Sequence, residues 1–293
     1  MATCNTLPVR GARLFYKVRG TGPALLVLQG GGGNADASDG LASELDATFT
    51  TISYDRRGLL RSPLDDPRQA LSIEQHAEDA RALIEHVAPG PVFAFGSSVG
   101  ALIGLELLTR WPDHVTRLVA HEPPATELLS EDGQANYKQL CAEIRDIALS
   151  QGPRPALRKQ ISSMGIDRDD REGDSEPPMS AREQSQHASF LLTREARAVE
   201  RFRVDLNALT RVSGRIVPAY GASSREYYPA ECAISLAQAL ARTAEEFPGG
   251  HTGYVLRPRA FALKLSEVFG VTTRASGLVY AGPSDPTRRV DQT

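Results

Sequence analysis

A short serine motif flanked by glycines constrains the fold of this chain more than any other feature. Residues 96–100 read Gly-Ser-Ser-Val-Gly, after an apolar run at residues 91–95 and before a helical pattern at residues 101–111. When a G-x-S-x-G sequence joins a strand to a helix, it forms a turn so tight that its outer residues must be small. The spacing therefore predicts that the central serine, Ser98, stands clear of the backbone at the end of a buried strand.

The rest of the chain alternates short apolar runs with helical patterns, which is typical of an α/β protein with a mostly parallel sheet covered by helices. Pro218 weakens the sixth strand, because proline cannot donate to the ladder of a central strand. Strands are predicted at residues 13–18, 24–28, 48–54, 91–95, 115–120, 215–220 and 244–247, and helices at residues 73–87, 101–111 and 258–269.

The strand pattern stops between residues 123 and 212. We interpret residues 123–212 as an inserted helical cap, called the cap segment below, and residues 1–122 and 213–271 as one core. Residues 272–293 are rich in Gly, Pro, Ser and Thr and are expected to form a loose tail. Within the cap segment the sequence predicts helices at 127–149, 155–164 and 181–209 and a mobile polar loop at 166–178.

Composition and charge exclude several classes of function. The net charge of −3 argues against nucleic acid or an anionic membrane as the main partner. No apolar run reaches the roughly 18 residues of a membrane helix, and the N-terminus lacks the pattern of a secretory signal. Three widely spaced cysteines form neither a metal pattern nor an even disulfide set. We therefore expect a cytoplasmic protein that acts on a small molecule, with a homodimer left open.

A charged turn follows the third predicted strand. Residues 55–58 read Asp-Arg-Arg-Gly. We interpret them as a structural turn in which the side chain of Asp55 or Arg56 is tied to backbone groups.

A serine such as Ser98 needs partners before it can act as a nucleophile: a base, a group that orients the base, and donors for an oxyanion. His251 is the best candidate for the base, because it lies in a glycine-flanked loop directly after the last predicted strand. The alternative is a surface loop histidine. His76 falls on an apolar helix face and is expected to be packed in the core, whereas His187, in the cap segment, is a candidate for contact with substrate.

Candidate oxyanion donors come from a glycine run, residues 30–33, which follows the strand predicted at 24–28. Glycines let backbone N–H groups approach a ligand closely. We expect the N–H groups of Gly31 and Val99 to hold an oxyanion. A phosphate site is disfavoured, because the run lacks both the Gly-Lys-Ser/Thr of a P-loop and G-x-G-x-x-G spacing. Contact with the substrate is expected from Gln29, Gly30 and Gly32.

Two carboxylates are candidates for the group that orients His251. Glu122 follows the strand predicted at 115–120, at the edge of an α/β sheet where catalytic groups gather. Its structural alternative is a cap on the first helix of the cap segment. Glu226, after the sixth predicted strand, could also reach the site.

These features together resemble the α/β-hydrolase superfamily. The resemblance runs over residues 10–269 and rests on the order of elements, the turn at 96–100, the glycine run and the late histidine. The superfamily usually places its acid at the position of Ser224, where this chain has no carboxylate. It also usually has His-Gly where this chain has Gln29 and Gly30, so Gln29 contacts either the ligand or only its own loop.

The position of the acid indicates a subgroup. Residues 96–101, followed by Ala-His-Glu-Pro-Pro at 120–124, are similar to a subgroup that includes zearalenone-type lactonases and places the acid after the strand following the nucleophile. This similarity favours Glu122 over Glu226. Haloalkane dehalogenases can place the acid there too, but they and soluble epoxide hydrolases need an aspartate where Ser98 stands.

The resemblance implies a serine hydrolase that cleaves a carboxylic ester or lactone of a fairly apolar small molecule, without metal or cofactor. In this scheme Ser98 attacks the carbonyl, His251 carries the proton and Glu122 orients His251. Phe190 and the two leucines after it are expected to form an apolar wall of the substrate site.

Other interpretations stay open. The same three side chains could cleave a thioester or a carbon–carbon bond, or run perhydrolysis without a cofactor. The chain could also be a non-catalytic ligand-binding protein on the same fold, although its intact serine, histidine and glutamate argue against that.

Overall fold

The computed structural model describes residues 2–173, 190–274 and 277–280, and for 272–274 and 277–280 it describes the backbone alone. An eight-stranded sheet forms its centre. In chain order the strands are β1 (Thr3–Val9), β2 (Ala12–Gly20), β3 (Ala24–Leu28), β4 (Thr50–Tyr54), β5 (Val92–Ser97), β6 (Val115–His121), β7 (Ile216–Gly221) and β8 (Glu245–Phe247).

The sheet is mostly parallel, as the sequence predicts. Its spatial order is β1-β2-β4-β3-β5-β6-β7-β8. Only the pairs β1–β2 and β2–β4 are antiparallel, and the five pairs from β4–β3 to β7–β8 are parallel. The chain therefore has the α/β-hydrolase fold, with the carboxyl ends of β3 and β5 to β8 at one edge.

Helices cover both faces of the sheet. The alternating side chains of β3 show this, because Leu26 and Leu28 pack with α2 and α3 residues, and Leu25 and Val27 with α1 and α10 residues. The helices are α1 (Asp39–Leu45), α2 (Ile73–Val87), α3 (Val99–Arg110), α4 (Glu131–Gln151), α5 (Pro153–Ser163), α6 (Ala196–Arg201), α7 (Leu206–Arg211), α8 (Tyr228–Ala239), α9 (Gly253–Leu256) and α10 (Pro258–Phe269), and a π-helical turn, Leu191–Glu195, leads into α6.

The seven predicted strands are all present, as are the helices predicted at 73–87, 101–111 and 258–269. The structure adds β1, α1, α8 and α9, which the sequence patterns do not predict. Pro218 lies within β7, opposite Ala120 of β6. It is tolerated there because β8 pairs only with Ala219 to Gly221, so the ladder on that side does not extend to the proline.

The helix predicted at 181–209 is interrupted at residues 202–205. After α6 the backbone turns extended at Phe202, and α7 begins separately. The carboxylate of Asp205 accepts a hydrogen bond from an N–H in the first turn of α7, at 3.0 Å. Aspartate is a strong helix N-cap, so the residue starts a new helix rather than continuing the old one. Residues 181–189 lie outside the described residues.

The loop predicted to be mobile at 166–178 is fixed to the core in its described part, residues 166–173. Asp170 forms an ion pair with Arg257 and accepts a hydrogen bond from the hydroxyl of Ser223 at 2.9 Å. Glu172 accepts two hydrogen bonds of 3.0 Å from N–H groups in the first turn of α10. The acidic residues that make this loop look mobile in the sequence are the ones that anchor it.

The loose tail predicted from residue 272 onward is also corrected in part. Its backbone forms β9 (Val271–Arg274) and β10 (Gly277–Tyr280), which pair antiparallel. The β-branched residues of this stretch favour strands, a tendency that the Gly, Pro, Ser and Thr content of the whole tail obscures.

Candidate active site

Ser98 stands on a strained turn between β5 and α3. Its backbone φ is +53°, a conformation that side-chain-bearing residues rarely adopt. Its N–H donates to the carbonyl of His121 at 2.9 Å, which holds the turn against β6. A Cβ on Gly96 would lie 2.5 Å from the carbonyl oxygen of Gly100, and a Cβ on Gly100 would overlap the carbonyl of Leu28. The two outer glycines of the motif are therefore sterically required.

Glu122 follows β6 directly and is fully buried. Its φ is +49°, and its N–H donates to the carbonyl of Ala219 in β7 at 2.8 Å. Its Oε1 accepts hydrogen bonds from the N–H of Gly221, at 2.8 Å, and from the hydroxyl of Ser224. Its Oε2 lies 2.5 Å from Nδ1 of His251. The structure thus brings Glu122 and His251 together, with Ser224 holding the carboxylate.

The electrostatics keep Glu122 ionised. Burial alone would raise the pKa of this carboxyl, but the hydrogen bond from His251, the charge effects of His121 and His251 and the bond from Ser224 together lower it to about 2. Because the carboxylate is charged, Nδ1 of His251 carries the proton and donates it to Oε2. Nε2 is then the basic nitrogen of the ring. Glu226, the other predicted candidate for the acid, is exposed.

His251 lies in the loop that follows β8 and is 5% exposed. Two glycines let this loop approach the sheet. Gly249 has a φ of +79°, and a Cβ on Gly221 would lie 2.7 Å from the carbonyl oxygen of Gly249. The loop consequently delivers the imidazole over the ends of β6 and β7.

Ser98 and His251 line one cavity of about 550 Å³. The candidate oxyanion donors Gly31 and Val99 line it as well, together with Gly30 and Gly32. Val99 is the first residue of α3, and the N–H groups of a first helical turn have no partner within the helix. Most of the wall is apolar and comes from the cap segment: Leu140, Ile144, Ala148 and Leu149 of α4, Leu157 and Ile161 of α5, and Leu191, Leu192 and Val199.

Three predicted substrate contacts have other outcomes. Gln29 is fully buried and absent from the cavity wall, because its amide donates to the hydroxyl of Ser38 at 3.0 Å. Of its two predicted roles, contact with its own loop is the one that the geometry fits. Phe190 does not line the cavity either, since its ring packs against Gly58. Leu191 and Leu192 supply the apolar wall without it. His187 lies outside the described residues.

Two residues beside the glycine run, Tyr254 and Glu195, are not marked by any pattern in the sequence. The hydroxyl of Tyr254, in α9, accepts a long hydrogen bond of 3.4 Å from the N–H of Gly30. Glu195, in the π-helical turn, forms a buried ion pair with Arg56. No pattern marks Glu195 among the many acidic residues of the cap segment. The prediction that Arg56 is tied to backbone is confirmed, since it donates to the carbonyl of Gln29 at 2.7 Å.

The described residues contain no cluster of His, Cys, Asp or Glu side chains that could hold a metal ion. Among the helices of the described ranges, none combines the length and the apolar character that crossing a bilayer demands.

Comparison with known proteins assigns the chain to a family. A sequence model of the alpha/beta hydrolase fold family matches residues 23–140. A relative aligned over nearly the whole chain is also a hydrolase. The chain therefore belongs to the α/β-hydrolase superfamily.

That relative is the uncharacterized hydrolase YraK of Bacillus subtilis (strain 168), which is 32% identical over 268 residues, covering 90% of this chain and 95% of YraK. Among solved structures, a putative lipase from Acinetobacter baumannii AYE has a TM-score of 0.68 at 14% identity, covering 91% of this chain and 90% of the lipase. A putative epoxide hydrolase from Pseudomonas aeruginosa has a TM-score of 0.67 at 19% identity, covering 92% and 95%. Both structures share the fold.

Proposed function

We propose that the protein is a serine hydrolase that cleaves a carboxylic ester or lactone of a fairly apolar small molecule through an acyl-enzyme. One observation carries the proposal. The buried, ionised Glu122 lies 2.5 Å from Nδ1 of His251, and that imidazole shares a cavity with Ser98 on a strained turn. A serine on a strand-to-helix turn, a histidine and an orienting carboxylate are the parts that activate a hydroxyl for acyl transfer.

In the proposed mechanism, Oγ of Ser98 attacks the carbonyl carbon while its proton passes to Nε2 of His251. The N–H groups of Gly31 and Val99 stabilise the oxyanion of the tetrahedral intermediate. The carbon–oxygen bond to the alcohol then breaks, and His251 returns the proton to the leaving oxygen. Water then gives its proton to the same imidazole and attacks the acyl carbon; the bond to Oγ breaks, Oγ takes the proton back from Nε2, and the acid is released. Glu122 stays ionised throughout and stabilises the imidazolium.

The apolar wall of the cavity supports an apolar acyl or lactone group, and the resemblance around Glu122 extends the proposal to lactones. The putative epoxide hydrolase among the structural neighbours does not favour epoxide hydrolysis for this protein. Epoxide hydrolases of this fold need an aspartate as nucleophile, and Ser98 occupies that position.

The proposal is tested by pre-steady-state hydrolysis of p-nitrophenyl esters of short and medium chain length. The wild-type protein should release a burst of p-nitrophenolate close to one equivalent per chain and then turn over. Ser98→Ala should show neither burst nor turnover while keeping its thermal melting temperature. A panel of lactones and thioesters then identifies the preferred bond. Turnover in Ser98→Ala equal to that of the wild type would refute the proposal.

A further inference from the structure

Arg56 lies in the turn after β4 and forms hydrogen bonds to the backbone at the start of the glycine run. Its side chain is 1% exposed. Nη1 donates to the carbonyl of Gln29 at 2.7 Å, and Nη2 donates to the carbonyl of Gly30 at 3.0 Å. The same guanidinium donates to Oε1 of Glu195 from Nε, at 3.0 Å, and from Nη2, at 2.5 Å. One planar group therefore binds two loop carbonyls and one carboxylate at once.

Glu195 forms a hydrogen bond to the backbone of the glycine run at a second point. It lies in the π-helical turn of the cap segment and is 2% exposed. Its Oε2 accepts a hydrogen bond from the N–H of Gly32 at 3.0 Å. In the same turn, Leu191 covers Gly31 so closely that a Cβ there would lie 2.6 Å from its Cδ1. The position of the cap segment and the conformation of the glycine run therefore depend on each other through Glu195.

Peptide geometry links this clamp to the proposed oxyanion site. In a planar trans peptide, the C=O and the following N–H point in opposite directions. The carbonyl of Gly30 and the N–H of Gly31 belong to one peptide plane. Arg56 holds the Gly30 oxygen together with the N–H of Gly33, which donates to it at 3.0 Å. These two bonds fix the direction of the Gly31 N–H. A second carbonyl, that of Gln29, prevents the plane from rotating as part of a flexible loop.

We propose that the buried Arg56–Glu195 pair is a positioning device that aims the Gly31 N–H at the oxyanion and makes its aim depend on the cap segment being seated. This inference rests on the proposed serine hydrolase function. Arg56 and Glu195 act through the backbone of the glycine run and are positioning residues. Burial alone would lower the pKa of Arg56, but the charge of Glu195 raises it, so the guanidinium stays charged.

The chain offers a matched control in the next residue. Arg57 forms a second buried ion pair, with Asp79 of α2, in which both side chains are 2% exposed. Asp79 accepts hydrogen bonds from Nε at 2.6 Å and from Nη2. The Nη1 of Arg57 donates to the carbonyl of Arg10 at 3.2 Å, away from the glycine run. Asp79→Asn therefore damages a comparable ion pair in the same turn without touching the proposed oxyanion donor.

The test compares Glu195→Gln with Asp79→Asn. Arg56 binds Oε1 and the N–H of Gly32 binds Oε2, so in Glu195→Gln one of these two donors faces an NH2 group instead of an acceptor. We expect both variants to melt at lower temperature than the wild type. Glu195→Gln should in addition lose about 10- to 100-fold in kcat with KM within about threefold, as for a donor displaced from an oxyanion site. Asp79→Asn should keep kcat within about threefold.

A trifluoromethyl ketone that forms an oxyanion on Ser98 provides the second readout. Its inhibition constant should weaken in Glu195→Gln by the same factor as kcat/KM falls, and should stay near the wild-type value in Asp79→Asn. Arg56→Lys is the second variant, should Glu195→Gln not fold. Lysine keeps the charge but cannot bind two carbonyls and a carboxylate in one plane, so kcat should fall there as well.

The outcomes separate this inference from the function on which it rests. Wild-type protein without ester turnover overturns the proposed function and the inference with it. Wild-type turnover combined with an unchanged kcat in folded Glu195→Gln or Arg56→Lys overturns the inference alone. Equal losses of kcat in Glu195→Gln and Asp79→Asn also overturn it, because general destabilisation would then explain both.

Discussion

At the scale of single residues, the proposed chemistry depends on how Glu122 is held. Its carboxylate accepts hydrogen bonds on both oxygens, from Gly221 and Ser224 on one and from His251 on the other. With a pKa of about 2, this group stays charged across the pH range in which hydrolases work. Ser224, at the position where the superfamily usually has its acid, instead donates a hydrogen bond to the carboxylate of Glu122, which follows the neighbouring strand.

This arrangement predicts unequal effects of two isosteric substitutions. Glu122→Gln should lower kcat by about 10³- to 10⁴-fold, because the amide cannot stabilise the imidazolium and favours the wrong ring tautomer. Glu226→Gln, at an exposed position, should change kcat less than about twofold. Steady-state kinetics on one ester measures both. Comparable losses in the two variants would contradict the role of Glu122.

His121, next to Glu122, makes the fold sensitive to acid. It is fully buried among Phe95, Phe247 and Phe261, and neither ring nitrogen has a hydrogen-bond partner within the described structure. Burial lowers the pKa of His121 to about 4, against the attraction of the Glu122 charge. At pH values between about 4 and the ordinary histidine pKa of 6.5, His121 binds a proton in the unfolded chain but not in the folded chain.

The free energy of unfolding should therefore fall as the pH drops from about 6.5 to about 4. His121 accounts for about 3 kcal/mol of this fall by linkage, and the buried His76, whose pKa burial also lowers, adds to it. His121→Phe should flatten the pH dependence, whatever its stability at pH 7. Urea unfolding at several pH values measures the slope. Parallel curves for wild type and variant would contradict this account of His121.

The candidate site can be predicted from the sequence to the extent that topology fixes it. Ser98, Glu122 and His251 each follow the end of a parallel strand, and neighbouring strands bring these ends to one edge of the sheet. The directions of side chains are another matter. Gln29 turns to Ser38 and Phe190 to Gly58, because local packing decides their orientation and sequence spacing does not.

At the scale of elements, the strand-to-helix turn stores strain to present Ser98. A φ of +53° disfavours any residue with a Cβ, and the tight packing of the flanking glycines leaves no room to relax it. Ser98→Gly should consequently be more stable than Ser98→Ala by about 1 kcal/mol, although both lack the hydroxyl. Thermal or urea unfolding gives the difference.

The control for this comparison is Ala142→Gly, at an exposed position in α4. The backbone there is helical, so the added freedom of glycine should destabilise the protein by about 1 kcal/mol. Glycine in place of alanine should therefore raise the free energy of unfolding at position 98 and lower it at position 142. A Ser98→Gly variant less stable than Ser98→Ala would mean that the turn is not strained in solution.

The elements that the sequence predicts are those with strong periodic patterns. The buried strands are continuous apolar runs, and α2 has a clear apolar stripe after its Ser72 cap. The strand β1 is missed because most of its side chains are exposed and give no alternation. The break between α6 and α7 is missed because one cap residue, Asp205, outweighs the helical pattern around it.

At the scale of the whole molecule, the cavity connects the candidate site to the cap segment. Seven residues of α4 line it, from Tyr137 to Leu149 at helical spacing. At 1.5 Å per residue, this face spans about 18 Å, which is long enough for an extended acyl chain. The cap segment would then select the substrate, and the sheet edge would supply the chemistry.

Filling this cavity should shorten the substrates that the protein accepts. Ile144→Trp places a large ring in the wall of the cavity. It should lower kcat/KM for a p-nitrophenyl decanoate by about tenfold or more relative to the acetate, because buried methylene contacts are lost. Ala142→Trp, on the exposed side of α4, should leave the ratio unchanged. Equal ratios in both variants would place the acyl chain elsewhere.

The central claim is that the hydroxyl of Ser98 is the nucleophile, and covalent labelling tests it most directly. The protein is treated with a fluorophosphonate, and the adduct is located by intact-mass and peptide mass spectrometry. We predict one adduct per chain, on Ser98, that is absent from Ser98→Ala and forms at least tenfold more slowly in Glu122→Gln. A label on another residue, or no label on a protein that still hydrolyses esters, would contradict the account.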